Sequence, residues 1–244
     1  MQLLSATWGI PATVVGTLST TRSGGVSLPP FASLNLGLHV GDNTQQVLQN
    51  RAKLTAHLPQ PAVWLNQTHS VDVVIVDQQL DCTRVHDGDA LYTRLACQPL
   101  AIMTADCLPI LLASNNGKEV AAIHGGWRGL LNGIVKNTVN CFSAPPTAIE
   151  AWLGPAIGAK KFVVGAEVYQ QFVTQNPIFA AAFTRHSEQK YLADIYQLAR
   201  LLLRQCGVKH ISGGEHCTVS QPATFFSYRR DGQTGRMATV IWRK

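Results

Sequence analysis

The chain has 244 residues, of which 46% are hydrophobic and only 14% charged, and its net charge is +6. That length allows one large domain or two small ones, and the composition excludes intrinsic disorder, which combines low hydrophobicity with high net charge. The basic residues are scattered, their closest clusters being the pairs Lys160-Lys161, Arg229-Arg230 and Arg243-Lys244, so no nucleic-acid partner is expected and a small anion such as phosphate is the better use of the excess.

The first fifteen residues lack a positive n-region and do not read as a signal peptide. Segments 13–18 and 71–76, rich in β-branched residues, predict strands. So do 100–104, 108–113 and 119–123. The longest apolar stretch, 99–113, is broken by Asp106 and Pro109 and falls short of the ~20 residues that span a bilayer, so no membrane segment is expected. Asn115-Asn116-Gly117 predicts a turn that joins the 108–113 and 119–123 strands into a hairpin.

After Gly125-Gly126, the apolar residues Leu130, Leu131, Ile134, Val135 and Val139 follow the helix period. A second helix is predicted over 194–206, with Asp194 as N-cap and Gly207 as stop. Segments 225–229 and 237–242 read as strands joined through Asp231-Gly232. No repeat or linker interrupts this order, which predicts a mixed α/β chain of one domain over 1–244. The antiparallel pairings argue against a doubly wound nucleotide-binding fold. Six cysteines stand at 82, 97, 107, 141, 206 and 217 without a C-x-x-C pair. They imply free or metal-bound thiols in a reducing, cytoplasmic compartment.

The chain has no P-loop, no G-x-G-x-x-G after a strand, no nucleophile elbow, no H-E-x-x-H and no nucleobase-deaminase signature. Three polar islands remain at predicted strand ends: Asn66-Gln67-Thr68-His69, Thr104-Ala105-Asp106-Cys107 and His124-Gly125-Gly126-Trp127-Arg128. His69, Cys107 and His124 are zinc-ligand types, and three protein ligands leave a fourth position open, as catalytic sites do. Their intervals match no finger or ribbon. On spacing alone, structural histidines and a core thiol are the better reading of the three, and Asp106 reads as a turn cap. Gly125-Gly126 before a helix offers either an anion site or a tight turn needing positive φ. Arg22, in the loop Thr21-Arg22-Ser23-Gly24-Gly25, and Arg229 are candidate phosphate clamps, with surface ion pairs as the plain alternative.

The islands resemble the YfiH/laccase-domain family, whose members are also labelled polyphenol oxidase or purine nucleoside phosphorylase. The resemblance runs through Ser19-Thr20-Thr21-Arg22 with Gly24-Gly25-Val26-Ser27, Ser33-Leu34-Asn35-Leu36-Gly37, and His39-Val40-Gly41-Asp42. It continues through Trp64-Leu65-Asn66-Gln67 with His69, Gly88-Asp89-Ala90, and Thr104-Ala105-Asp106-Cys107-Leu108-Pro109. It ends with His124 and Gly126-Trp127-Arg128-Gly129, the stretch 152–158, and Phe226-Ser227-Tyr228-Arg229-Arg230. Gly125 stands where the family usually has alanine, and Ser70 where glycine is common.

The resemblance implies a four-layer α/β/β/α sandwich with mixed sheets, like that of toxin deamidases with a Cys–His pair. It implies zinc on His69, Cys107 and His124, with Cys107 and His124 catalytic, and substrate or phosphate contacts from Arg22, Asn35, Gln67 and Arg229. The implied activity is phosphorolysis of adenosine, inosine and methylthioadenosine, with adenosine deamination, by a monomer or homodimer. The partners are then a nucleoside and phosphate. Two alternatives are an amide hydrolase editing cell-wall precursors and a copper-dependent polyphenol oxidase. Against the oxidase stand only eight histidines and no H-x-H pair, although Cu²⁺ can load a Cys/His site because it outcompetes Zn²⁺ for such donors.

Overall fold

The computed structural model describes residues 1–81 and 84–244, so Cys82 lies outside the described residues. Two sheets carry the architecture. The first has four antiparallel strands in the order Leu3–Leu4, Val15–Thr20, Met237–Arg243, Leu100–Thr104. The second runs His210–Gly213, Ile149–Leu153, Leu108–Ser114, Val120–Gly125, Ala90–Thr93, Val73–Val76. Its two edge strands pair in parallel and its inner strands antiparallel, so it is mixed.

Strand alternation sorts the apolar residues into layers. Leu108, Ile110 and Leu112 pack against Leu130, Ile134, Val135 and Leu198 on the helices Trp127–Asn132, Ile134–Val139 and Ile195–Gln205. Leu111, Ala113, Val120 and Ala122 face the other sheet, where they meet Val15, Leu100, Ile102 and Ile241. The outer face of the four-stranded sheet, with Leu18, Ala101 and Val240, is covered by Leu54 of the helix Thr44–Thr55. Helix, sheet, sheet and helix give the four layers. With both faces of both sheets covered, the inner strands are apolar at nearly every position.

Three predicted elements come out differently. The helix expected through 130–139 is two, because Gly133 between them takes φ 104, a left-handed conformation that suits glycine. Residues 225–229 form no strand. Phe225 and Phe226 are core fillers with no exposure, and the single turn Tyr228–Asp231 follows, capped by Ser227. Strand Met237–Arg243 pairs instead with Val15–Thr20 and Leu100–Thr104. The helix Thr44–Thr55 gave little apolar signal, since it buries only Val47, Asn50 and Leu54. Asn50 is structural: its amide bonds Val26, Ser27, Ser33 and Asn35, fastening the 26–35 loop to the helix. Hairpin 108–125 forms as expected around Gly117 at φ 66. No helix among the described residues is long and apolar enough to cross a membrane.

Candidate metal centre and active site

The short link 105–107 carries the chain from the four-stranded to the six-stranded sheet. Cys107 therefore leaves one sheet as Leu108 enters the other, and register sets Leu108 opposite Gly125 and Pro109 opposite His124. His69 follows the short strand Leu65–Asn66 on a left-handed residue, φ 61. The ligand atoms of His69, Cys107 and His124 all lie within 4.8 Å of one another. Cys107 Sγ is 3.8 Å from His69 Nε2, and the two imidazoles meet edge-on at 4.8 Å. Tetrahedral zinc separates N and S ligands by about 3.5 Å, so this group needs only a small closure. Gly126 makes room for it: a Cβ there would stand 2.8 Å from His69 Cδ2. The need at the glycine pair is close approach, since neither Gly125 nor Gly126 has positive φ.

One buried carboxylate organises the group. Asp89, with no exposure, accepts His124 Nδ1–H at 2.7 Å, which leaves Nε2 for the metal side. It also accepts the backbone N–H groups of Thr68 at 3.1 Å, His69 at 3.1 Å and Ser70 at 2.6 Å. A single side chain thus fixes two of the three ligands. The motif Gly88-Asp89-Ala90 was visible in sequence, but nothing in it disclosed this role.

The charges reinforce one another. Burial alone would raise Asp89, but hydrogen bonds from His124 and Ser70 hold it at about 2. Burial likewise opposes the Cys107 thiolate, yet His124 and His69 draw the thiol down to about 6. Burial disfavours the His124 cation, and Cys107 and Asp89 nonetheless lift it to about 9. Both shifts favour a Cys107 thiolate beside a His124 imidazolium. A thiolate, the His69 imidazole and a His124 Nε2 that releases its proton on metal binding are the donors a soft-to-borderline cation needs.

Two cavities meet at Cys107. One, of about 390 Å³, is lined by His39, Gln67, His69, Met103, His124 and Arg236 among others. The second, of about 290 Å³, is walled by Trp127, Ile157, Phe162 and Ile195, with Arg128 and Arg229 beside them. Ala105, Cys107 and Tyr228 belong to both.

The other predicted contacts divide. Arg22 lines neither cavity. Its guanidinium is consumed by the carbonyls of Ala32 and Pro222 and lies over Phe226, so it stitches loops together. Gln67 reaches the first cavity, but its amide is engaged with the backbone of Met103. Asn35 is fully buried and bonds Gly37, Asp42 and Arg236 N. Arg229 lines the second cavity, and among the described residues its guanidinium spends one nitrogen, on the carbonyls of Val163 and Lys161. Asp106 faces away from the ligands and accepts from Thr218 Oγ1, Ser227 Oγ and Arg229 N. Its partners lie more than a hundred residues along the chain, so it ties distant loops together rather than capping its own turn. Arg236 and His39, which sequence reasoning did not select as site residues, stand in the cavity of the ligands. The helix starting at Trp127 has six residues, and its N-cap Gly126 packs against the His69 ring.

Residues 16–244 match the family model described as multi-copper polyphenol oxidoreductase laccase. The chain belongs to this family. Within it, the chain is 49% identical to purine nucleoside phosphorylase YfiH of Escherichia coli, over 99% of this chain and 98% of that one. It is 47% identical to the purine nucleoside phosphorylase of Haemophilus influenzae, over 99% of each. The crystal structure of Neisseria meningitidis protein NMB0706 superposes with TM-score 0.95 at 46% identity, covering all of both chains. Bacillus licheniformis hypothetical protein YfiH gives 0.89 at 32% identity, over 94% and 93%. The laccase-family fold is thus shared across the whole chain.

Proposed function

We propose that the chain is a zinc-dependent purine nucleoside phosphorylase that also deaminates adenosine, working in the cytoplasm as a single catalytic domain over 1–244, monomer or homodimer. The substrates are adenosine, inosine and methylthioadenosine. The reading is supported by the full-length similarity to proteins named purine nucleoside phosphorylase. The observation that carries it is the placing of His69, Cys107 and His124 where two cavities of different character meet. Trp127, Phe162 and Tyr228 give the second cavity aromatic surface for a flat base, with Arg229 retaining free donors at its edge.

In phosphorolysis the C1′–N9 bond breaks with its electron pair going to the purine. A phosphate oxygen bonds C1′, and the hydrogen-phosphate proton ends on the base. In deamination water replaces the C6 amine and ammonia leaves. A zinc ion held by His69, Cys107 and His124 would supply a Lewis acid at the position where the two cavities meet. Asp89 keeps His124 in the tautomer that faces this position and holds the His69 loop in place. The walls around Trp127 and Phe162 exclude water from one face of the substrate.

A second reading is amide hydrolysis of a cell-wall precursor, with Cys107 as nucleophile. It is favoured by the thiol's fall to about 6 beside His124. Metal-assayed protein incubated with inosine, with and without phosphate, separates the two. Hypoxanthine and ribose 1-phosphate are expected only when phosphate is present. Inosine turnover that ignores phosphate, or no turnover at all, removes the phosphorylase reading.

A further inference from the structure

Several arginines of this chain, such as Arg22, Arg200 and Arg230, have their guanidinium donors taken up by backbone carbonyls. The cavity of about 390 Å³ beside the ligands is different. Arg236 lines it and is largely withdrawn from water. Burial pushes its guanidinium below the ordinary arginine value, against weaker support from Cys107 and Asp106. Its NH1 bonds the carbonyls of Thr234 and Gly235. Its Nε and NH2 meet no protein acceptor among the described residues, and neither is a sealed orphan. His39 lines the same cavity, with no hydrogen-bond partner for its ring among the described residues. Behind Met103 lies Arg51, stacked at 4.1 Å on Trp64 and bonded to Leu36 O and Met103 Sδ. Among the described residues no carboxylate comes within salt-bridge distance of Arg51 or Arg236. Arg236 and Arg51 lie near enough to His39 that they add to burial in pushing its imidazole down.

The surroundings of Arg236 are built to hold it. Asn35 Oδ1 accepts Arg236 N at 2.9 Å and Gly37 N at 2.9 Å. A Cβ on Gly37 would stand 2.9 Å from Arg236 Cγ, so only glycine lets the arginine stem pass. Asn50, from the helix beneath, fixes the carbonyl of Asn35. The motif Ser33-Leu34-Asn35-Leu36-Gly37, which touches no metal ligand, thereby acquires a use.

We propose that Arg236 and His39, backed by Arg51, form the subsite for a tetrahedral oxyanion, inorganic phosphate, and that Asn35 and Gly37 are its positioning residues. A partly buried guanidinium with two unspent donors and no counter-carboxylate among the described residues is stabilised by an incoming dianion, and a planar fork binds two of its oxygens at once. The shared wall at Cys107 then sets phosphate on one side of the reacting carbon and the base on the other. This assignment rests on the phosphorylase reading for the anion's use, but not for its binding.

The test measures inorganic phosphate binding to the zinc-loaded protein by calorimetry, and the KM values for phosphate and inosine separately. Arg236→Gln is expected to weaken phosphate binding and raise its KM roughly 10- to 100-fold, with inosine KM and zinc content unchanged. Arg236→Lys recovers part of the loss, and His39→Gln loses less. Arg185→Gln, exposed on the remote strand Phe183–Ser187, changes nothing. A folded Arg236→Gln that binds phosphate like the unaltered protein overturns the proposal, as does an unaltered protein that binds none. If Arg236→Gln fails to fold, His39→Gln and Gly37→Ala decide, and normal phosphate affinity in both overturns it. Weakened phosphate binding in the variants, with inosine turnover indifferent to phosphate in the unaltered protein, upholds the subsite and removes the phosphorylase reading instead.

Discussion

Asp89 and Asp106 are both buried carboxylates beside the same three ligands. Asp106 is the neighbour in sequence, bonded directly to Cys107, yet its oxygens take Thr218, Ser227 and Arg229 N, tying the C-terminal loops to the sheet link. Asp89 is distant from every ligand in sequence and bonds two ligand-bearing segments at once. A carboxylate's role follows from the donors it satisfies, and adjacency along the chain says little about them. Asp106 builds the wall on which the cavities rest. Asp89 builds the centre itself.

The largest effect is expected from Asp89→Ala. It strands the His124 imidazole and three loop amides in the interior, which should cost about 3–5 kcal/mol of stability and lower metal affinity about 10- to 100-fold. Urea unfolding and a zinc competition titration measure both. An Asp89→Ala protein with ordinary zinc affinity would erase the contrast. Asp106→Ala should cost less, about 1–3 kcal/mol from its unsatisfied partners, and should keep the zinc stoichiometry. Loss of zinc from a folded Asp106→Ala protein would make the two carboxylates equivalent.

The smallest effect is in pH. Asp89 is held at about 2 against an ordinary 3.8, so between those values the folded protein binds fewer protons than the unfolded chain. The stabilisation is full above about pH 4 and disappears as pH falls through about 2, an amount of ~2 kcal/mol. Asp89→Asn should lack that part of the acid slope in urea melts taken from pH 5 to 2. Parallel slopes for the two proteins would contradict it.

Residue patterns carried the layers further than they carried the site. Strands with both faces covered read as apolar runs, so 100–104, 108–113 and 237–242 were legible. Phe225 and Phe226 gave the same signal for another reason: they fill the core from a loop whose carbonyl at Phe225 is taken by Arg230. The Thr44–Thr55 helix was hidden because an asparagine, rather than a leucine, occupies its inner face. At the site, spacing left His69, Cys107 and His124 undecided, and only resemblance joined them. Arg22 was singled out for its glycine-flanked loop. Whether a guanidinium is free depends on carbonyls ten and two hundred residues away, and no local pattern records that. Arg236 was overlooked for the same reason, since its cradle comes from 35–37.

The left-handed turn at His69 is fastened by Asp89 through hydrogen bonds alone, with no metal bond in the fastening. Such a socket is largely set by the chain itself, and its nitrogen and sulfur donors suit more than one divalent cation. Geometry then sieves weakly among divalent cations, and the Irving–Williams order ranks copper above zinc. On that reading, the copper of the family's name and the zinc of the proposed reaction would compete for the same three donors.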